Sequence, residues 1–347
     1  MATQLTGLQT TTEEIKREAA SHFFSDFEKC KFEATSGGVN NVVQYITDSK
    51  GNKYVLRIYN NGFNTKRVNF EHEVLESLQA HKLSFKVPVF LKNLRDGRSH
   101  MPLANGAESC VCELIPGALP KTKGARQIGE ASGELCSTLA KLPVMKSPCP
   151  TPPYYDLYAV HHAMSREKFL QEMQTEQFAG VRQWADVLVK EILEIDDLVN
   201  GEYQRRDLPR QLIHGDLHYD NILCDDSGVT GLLDFEFAAY DWRAMELAIC
   251  LSKYAGEANA LEIFTDFVDG FGVKGVLTRP EVEAIPDLII LRVLSNVVYF
   301  VGRAVAGEDS MDSLIKRAET YSKRVAWLKS NRGVIVDLID ARMSKNY

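Results

Sequence analysis

The sequence predicts an α+β protein of two lobes, with five strands and one key helix first and a larger, mainly helical region after it. Three observations carry this. Up to Pro116-Gly117, strand-like runs alternate with turn signals: the strand–turn–strand segment KCKFEATSGGVNNVVQYI, the run KYVLRIY, and the stretches 87–94 and 101–115. Beyond that point helical spacing takes over, as in Ile128, Ala131, Leu135, Leu139 and Leu142. Within the helical region, residues 212–237 read LIHGDLHYDNILCDDSGVTGLLDFEF, which is a small β-insert of apolar runs around a polar turn.

Composition sets the outer limits. The chain has 347 residues, 45% hydrophobic and 25% charged, enough for two lobes with their own core. A net charge of −7 without a long basic run excludes a nucleic-acid partner. The seven cysteines are scattered and odd in number, and Cys110 and Cys112 have no second pair to complete a zinc site. They read as reduced thiols of a cytoplasmic protein. The start, MATQLTGLQTTTEEIKREAA, lacks the hydrophobic core of a signal peptide. The apolar segment 288–301 contains Arg292 and Asn296 and falls short of a membrane span, so a buried helix is expected and no membrane.

In the first lobe, Thr11 and Glu14 form a capping box for a helix running to about Ser25. KCKFEATSGGVNNVVQYI is then strand, glycine turn, strand. Gly37 and Gly38 let backbone N–H groups approach an anion, with a polar contact from Asn40 or Asn41; the same residues also make a plain hairpin turn. The turn at 48–52 leads into the strand bearing Arg57. A helix over 67–83 follows, with Glu71, Val74, Leu75 and Leu78 on one face and Glu73 and Glu76 on the opposite, polar face. Glu71 on an apolar face requires a partner.

In the second lobe, the helix at 128–142 is followed by a loop restricted by Pro148, Pro150, Pro152 and Pro153. Tyr154, Tyr155, Tyr158, His161 and His162 come next. Val181, Trp184, Leu188, Ile192, Ile195 and Val199 form a helical core stripe ending at Gly201. After the β-insert a helix is expected over 241–254, including Glu246, and two or three more helices complete the lobe.

The insert carries the chemistry. Asp216, Asn221 and Asp234 lie at the mouth of the small β-structure, with the spacing Asp-x4-Asn and a second Asp 18 positions after the first. One carboxylate to orient and deprotonate a hydroxyl, and an amide and a carboxylate to hold Mg²⁺, suit phosphoryl transfer. Two other readings of these residues exist. Asp and Asn are turn formers. The alternation of His214, Asp216, His218 and Asp220 would, on a strand, aim four metal ligands one way, as in a metallohydrolase. That reading leaves Asp234 unexplained and ignores Gly215, which signals a bend.

HGDLHYDNIL followed by LLDFE closely resembles the aminoglycoside phosphotransferase and choline kinase superfamily, and within it the type II homoserine kinases. The resemblance implies a protein-kinase-like fold, with an N-terminal nucleotide-binding lobe at 1–117 built on an antiparallel five-stranded sheet plus helix, and a C-terminal lobe at 118–347. It implies ATP and Mg²⁺ as cofactors. Asp216 would be the catalytic base, and Asn221 and Asp234 the metal ligands. Gly37, Gly38 and Asn40 would meet the phosphates, as would Arg57, held by Glu71 and standing where relatives often carry lysine. The backbone around Glu113 and Leu114, in CVCELIPG, would meet adenine. Tyr155 and Glu236 would contact the acceptor, His214 would fix the loop and Glu246 would buttress it. The implied acceptor is a small hydroxylated metabolite: a homoserine-like amino alcohol, or a choline, ethanolamine or aminoglycoside-type molecule. A monomer or homodimer is expected. A protein kinase is excluded, because Asp-Phe-Gly, Ala-Pro-Glu and room for an activation segment are all missing after Asp234.

Overall fold

Helix α1 (Glu13–Ser21) precedes a five-stranded antiparallel sheet in the order β1-β2-β3-β5-β4. Its strands are β1 (Lys31–Ala34), β2 (Val42–Thr47), β3 (Lys53–Ile58), β4 (Met101–Pro102) and β5 (Glu108–Glu113). The computed structural model describes residues 13–35, 41–60, 64–120 and 123–343. The expected phosphate-turn residues Gly37, Gly38 and Asn40, and the Thr11 half of the expected cap, lie outside these. Period-two alternation along β3 buries Leu56 and Ile58 with Ile46, Val111 and the α1 residues Ala19 and Ala20. Arg57 therefore points to the opposite face.

The strand count holds, but its membership differs from expectation. The stretch 87–94 is not a strand. It runs beside β5, donating from Leu91 N to Val111 O at 2.8 Å and accepting at Val89 O from Glu113 N at 2.9 Å. Pro88 has no N–H to give, and Asn93 closes the segment by accepting from Arg95 N and Asp96 N, both at 2.9 Å. The fifth strand comes instead from the stretch 101–115, which folds on itself through Leu103 N to Ala107 O at 2.8 Å.

Helix α2 (Thr65–Leu78), between β3 and β4, ties the lobes together. Its Phe70, Val74, Leu75 and Leu78 belong to the same core cluster as Ile128 and Leu135 of the second lobe. The face expected to be solvated is also occupied. The Glu73 carboxylate accepts from Lys146 N at 2.6 Å and Ser147 N at 2.8 Å, because the loop after the next helix crosses here and its N–H groups need acceptors.

The second lobe contains α3 (Ala125–Leu139), α4 (Arg166–Glu172), α5 (Arg182–Leu198), and, after the β-insert, α6 (Ala244–Ser252), α7 (Ala260–Phe271), α8 (Arg279–Val305), α9 (Met311–Ser330) and α10 (Arg332–Met343). Four helices thus follow α6 where two or three were expected. The insert is two ribbons: β6 (Arg210–Ile213) with β9 (Ala239–Trp242), and β7 (Ile222–Asp225) with β8 (Gly228–Leu232). Asp241 and Trp242 are in β9, since Arg210 pairs with Trp242 and Gln211 with Asp241; the helix begins after them. Helices α3 and α7 cross so closely that a Cβ on Gly129 would stand 2.0 Å from Phe267 O.

Helix α8 begins with a capping box between Thr278 and Glu281. Taken whole it is long and apolar enough to cross a membrane, which the segment 288–301 alone is not, and 78% of its apolar window is buried within the lobe. The lobes meet at the insert: Lys86 N donates to Thr230 O at 2.9 Å, and Leu232 N donates to Lys86 O at 3.0 Å.

Candidate active site

Strand β6 delivers His214, Gly215 and Asp216 to the cleft between the lobes. Gly215 has φ +80°, and a Cβ there would lie 2.2 Å from Phe237 O, so only glycine makes this bend. The bend defeats strand-like alternation of the residues around it. His214 is fully buried, its Nε2–H donating to Leu233 O at 2.9 Å and its Nδ1 accepting from Asp216 N at 3.2 Å. Burial, against the bond to Leu233, pushes the imidazole down to about 4, so it is neutral and structural. Glu246 of α6 accepts from His214 N at 2.5 Å, and its own carboxyl is pushed up to about 7 by burial. The expected buttress is in place.

Asp216 and Asn221 face each other across the turn, Asn221 Nδ2 donating to Asp216 O at 2.9 Å and to its Oδ2 at 3.3 Å. Leu233 N donates to Asn221 O at 2.9 Å, which brings the end of β8 alongside. The next residue, Asp234, adopts φ 64°, ψ 62°, a left-handed conformation that Asp tolerates better than most side chains and that turns it out of the strand path.

Arg57 enters from the sheet. Its Nη1 donates to Glu71 Oε1 at 2.8 Å, and its Nη2 to Asp234 Oδ1 at 2.8 Å and Glu236 Oε2 at 3.1 Å. The pairing expected with Glu71 is therefore present, with two further carboxylates on the same guanidinium. Glu236, expected against the acceptor, is buried and also accepts from Asn41 Nδ2 at 3.0 Å. It is an ion-pair partner of Arg57 here. Confinement away from water, then Glu236, push Asp234 up to about 7, against the pull of Arg57.

The sequence missed Arg292. On an apolar helix it read only as an obstacle to membrane insertion, yet its Nη2 donates to Asp216 Oδ1 at 2.5 Å. Burial would raise the Asp216 pKa, but Arg292 and then His218 outweigh it and hold the carboxyl well below the usual range. A charged residue in an otherwise buried helix was the available signal, since such a charge needs a partner.

The remaining expected site residues are placed as follows. Tyr155 lies against Arg210 and Trp242, with Arg210 Cζ 5.0 Å from its ring centre. Its neighbour Tyr154 is the one at the site, donating from its hydroxyl to Gly215 O at 2.7 Å with Arg292 Cζ 5.5 Å from its ring centre. The rigid loop sets which of two adjacent rings faces inward, and periodicity does not reach that choice. In the crossing strand, Glu113 N donates to Val89 O at 2.9 Å, and Leu114 follows, half-buried.

The four alternating His and Asp residues do not converge as a metal cage. His214 Nε2 is held by a carbonyl, and His218 sits between Asp216 and Asp220 at 3.5 Å from each. Among the described residues, the group able to share an ion is His161, His162 and Glu308. Asn221 and Asp234 do fit a hard divalent cation such as Mg²⁺. With Nδ2 of Asn221 on Asp216, its amide oxygen and the Asp234 carboxylate form an all-oxygen donor pair.

A family model described as "Phosphotransferase enzyme family" matches residues 31–283. A homoserine kinase of Zymomonas mobilis subsp. mobilis is 29% identical over 220 residues, 62% of each chain. The chain thus spans less than two thirds of that enzyme's length. A homoserine kinase of Methylobacterium radiotolerans is 25% identical over 285 residues, 79% of this chain and 82% of that one. Among solved structures, a microcompartment-associated aminopropanol kinase matches with TM-score 0.66 at 16% identity, over 93% of this chain and 98% of the other. A Plasmodium vivax ethanolamine kinase matches with TM-score 0.61 at 16% identity, over 90% and 88%. Likeness at this identity is likeness of fold.

Proposed function

The chain belongs to the phosphotransferase enzyme family, and from that premise we propose that it transfers the γ-phosphoryl group of ATP to a hydroxyl of a small metabolite, an amino alcohol of the homoserine type. The observation that carries this reading is the grouping of Asp216, Asn221 and Asp234 at one mouth of the insert, with Arg57 reaching across from the sheet. The homoserine kinases among the sequence relatives support the acceptor class.

In this reading Asp216 orients the acceptor hydroxyl and takes its proton at a carboxylate oxygen. Asn221 and Asp234 would hold Mg²⁺, which when bound neutralises phosphate charge. Arg57, kept in place by Glu71, meets the phosphates; its charge is permanent and its fork bidentate, so it can stand in for a lysine with a different geometry. His214 and Glu246 hold the loop that aims Asp216. The acceptor would enter where Arg292 of α8 meets Asp216 of the insert.

A panel of hydroxylated metabolites, incubated with enzyme, Mg²⁺ and either ATP or GTP and read by nucleoside diphosphate formation and the mass of the phosphorylated product, tests the reading. A phosphorylated amino alcohol is expected. Diphosphate release with no phosphorylated acceptor across the panel would overturn it.

A further inference from the structure

Helix α8 is buried along most of its length, but Arg292, Asn296, Tyr299 and Arg303 stay partly exposed. Their spacing places them in one stripe of the helix, and the Arg292 end of that stripe meets Asp216. The Arg292 side chain is 12% exposed. It donates from Nη2 to Asp216 Oδ1 at 2.5 Å and from Nη1 to Asn296 Oδ1 at 2.8 Å, whereas its Nε–H is buried with no acceptor among the described residues. A buried donor left unpaired is costly. In arginine, Nε–H and Nη2–H form the side-by-side fork that matches a single carboxylate. Here one arm of the fork rests on Asp216 and the other on nothing.

Asp216 is correspondingly held at both oxygens. One oxygen is held by Arg292 and the other lies 3.3 Å from Asn221 Nδ2. A hydroxyl that is to lose its proton to Asp216 has to share one of those oxygens, and a second anion at Arg292 would loosen its hold on that oxygen. A carboxylate arriving with the hydroxyl supplies that anion and fills the empty arm. A cationic acceptor without a carboxylate does neither, and it brings its charge towards a buried guanidinium.

We propose that the acceptor carries a carboxylate a few bonds from its hydroxyl and that Arg292 receives it, turning from Asp216 to the acceptor as the site fills. The proposal rests on the phosphotransferase reading above and selects hydroxy amino acids over the amino alcohols that lack the acid group. The proton and phosphoryl movements are unchanged: Asp216 takes the hydroxyl proton, and the O–P bond to the acceptor forms as the bond to the leaving diphosphate breaks.

Matched acceptor pairs differing only by the carboxylate test it in the full-length enzyme with Mg-ATP: L-homoserine against 3-aminopropan-1-ol, L-threonine against 1-aminopropan-2-ol, L-serine against ethanolamine. The parent should favour the acid member of its best pair by at least about 10²-fold in kcat/KM. Arg292→Gln should slow every acceptor, since Arg292 touches Asp216, but should erase most of the preference, kcat/KM for the acid falling at least about 10-fold further than for the amino alcohol through a raised KM; Arg292→Lys should restore part of it. Equal use of both members by the parent, or an equal loss on both in Arg292→Gln, overturns the proposal and leaves the kinase reading standing. Turnover with no acceptor in the pairs or the wider panel overturns the kinase reading, and the proposal with it. Should Arg292→Gln not fold, the parent decides alone: the carboxamide of its best acid acceptor, isosteric and uncharged, should lose about 10²-fold, and an amide used as well as the acid overturns the proposal.

Discussion

Arg57 and Asp234 are bonded across the cleft, Nη2 to Oδ1 at 2.8 Å, one from the sheet lobe and the other from the helical lobe. The same guanidinium holds Glu71 and Glu236, both almost fully buried. One cation thus fastens β3 and α2 of the first lobe to the residues that follow β8 in the second. In the proposed reading, the phosphates of Mg-ATP would offer Arg57 a new anion and the metal would offer Asp234 a new cation, so one ligand would re-pair both partners of the bond.

Arg57→Ala should lower stability by about 3–5 kcal/mol, because it leaves buried carboxylates without their cation. Glu71→Ala should cost less, since Arg57 keeps Asp234 and Glu236. The double variant should lose less than the sum, as both act through one pair. Arg57→Lys should keep measurable turnover, having the charge without the fork. Urea unfolding and initial rates measure these, and strictly additive losses would refute the coupling.

Asp216→Ala should lower kcat by about 10²–10⁴-fold while ATP affinity stays within a few-fold. The side chain touches Arg292, His218 and Asn221 and none of the Arg57 cluster, and Asn221 keeps its 2.9 Å bond to the backbone oxygen of residue 216, so nucleotide binding has little reason to change. A pure variant with near-parental kcat would remove Asp216 from the base role.

Asp234→Ala should behave differently, weakening Mg-ATP binding as well as chemistry. ATP titrated by calorimetry with and without Mg²⁺ separates the two. If Mg²⁺ strengthens binding by the same factor in variant and parent, Asp234 is not a ligand.

His214 makes stability depend on pH in a defined window. Its folded pKa is about 4 against an ordinary 6.5, so between these values the unfolded chain binds the extra proton. Stability therefore rises with pH from about 4 to 6.5, is free of this penalty above that range and carries it in full below. The shift is worth on the order of 3 kcal/mol. Thermal melts of parent and His214→Gln across this range should differ in slope, the variant's being flatter; parallel curves would mean that His214 does not titrate as described.

The sequence by itself determined the chain's class and the core of its candidate site. Strand-and-turn rhythm before Gly117, helical spacing after it, and the pattern HGDLHYDNIL with LLDFE were enough for a two-lobed α+β fold and for Asp216, Asn221 and Asp234, because those residues sit within one short stretch whose bends are written in local chemistry, Gly215 above all. Glu71 was legible for a related reason: a carboxylate on the apolar face of a helix has to find a cation. What lay beyond reach was decided by packing between distant segments. Arg292 meets Asp216 across 76 positions of chain, Glu236 turns to Arg57 across 179, and Glu73 is covered by a loop 73 residues on. Whether Tyr154 or Tyr155 faces the site depends on how a proline-restricted loop is laid over Gly215 and Trp242. None of these choices has a periodic signal, since each depends on which long-range contact satisfies a buried charge or an unpaired N–H, and that is settled only when the lobes close on one another.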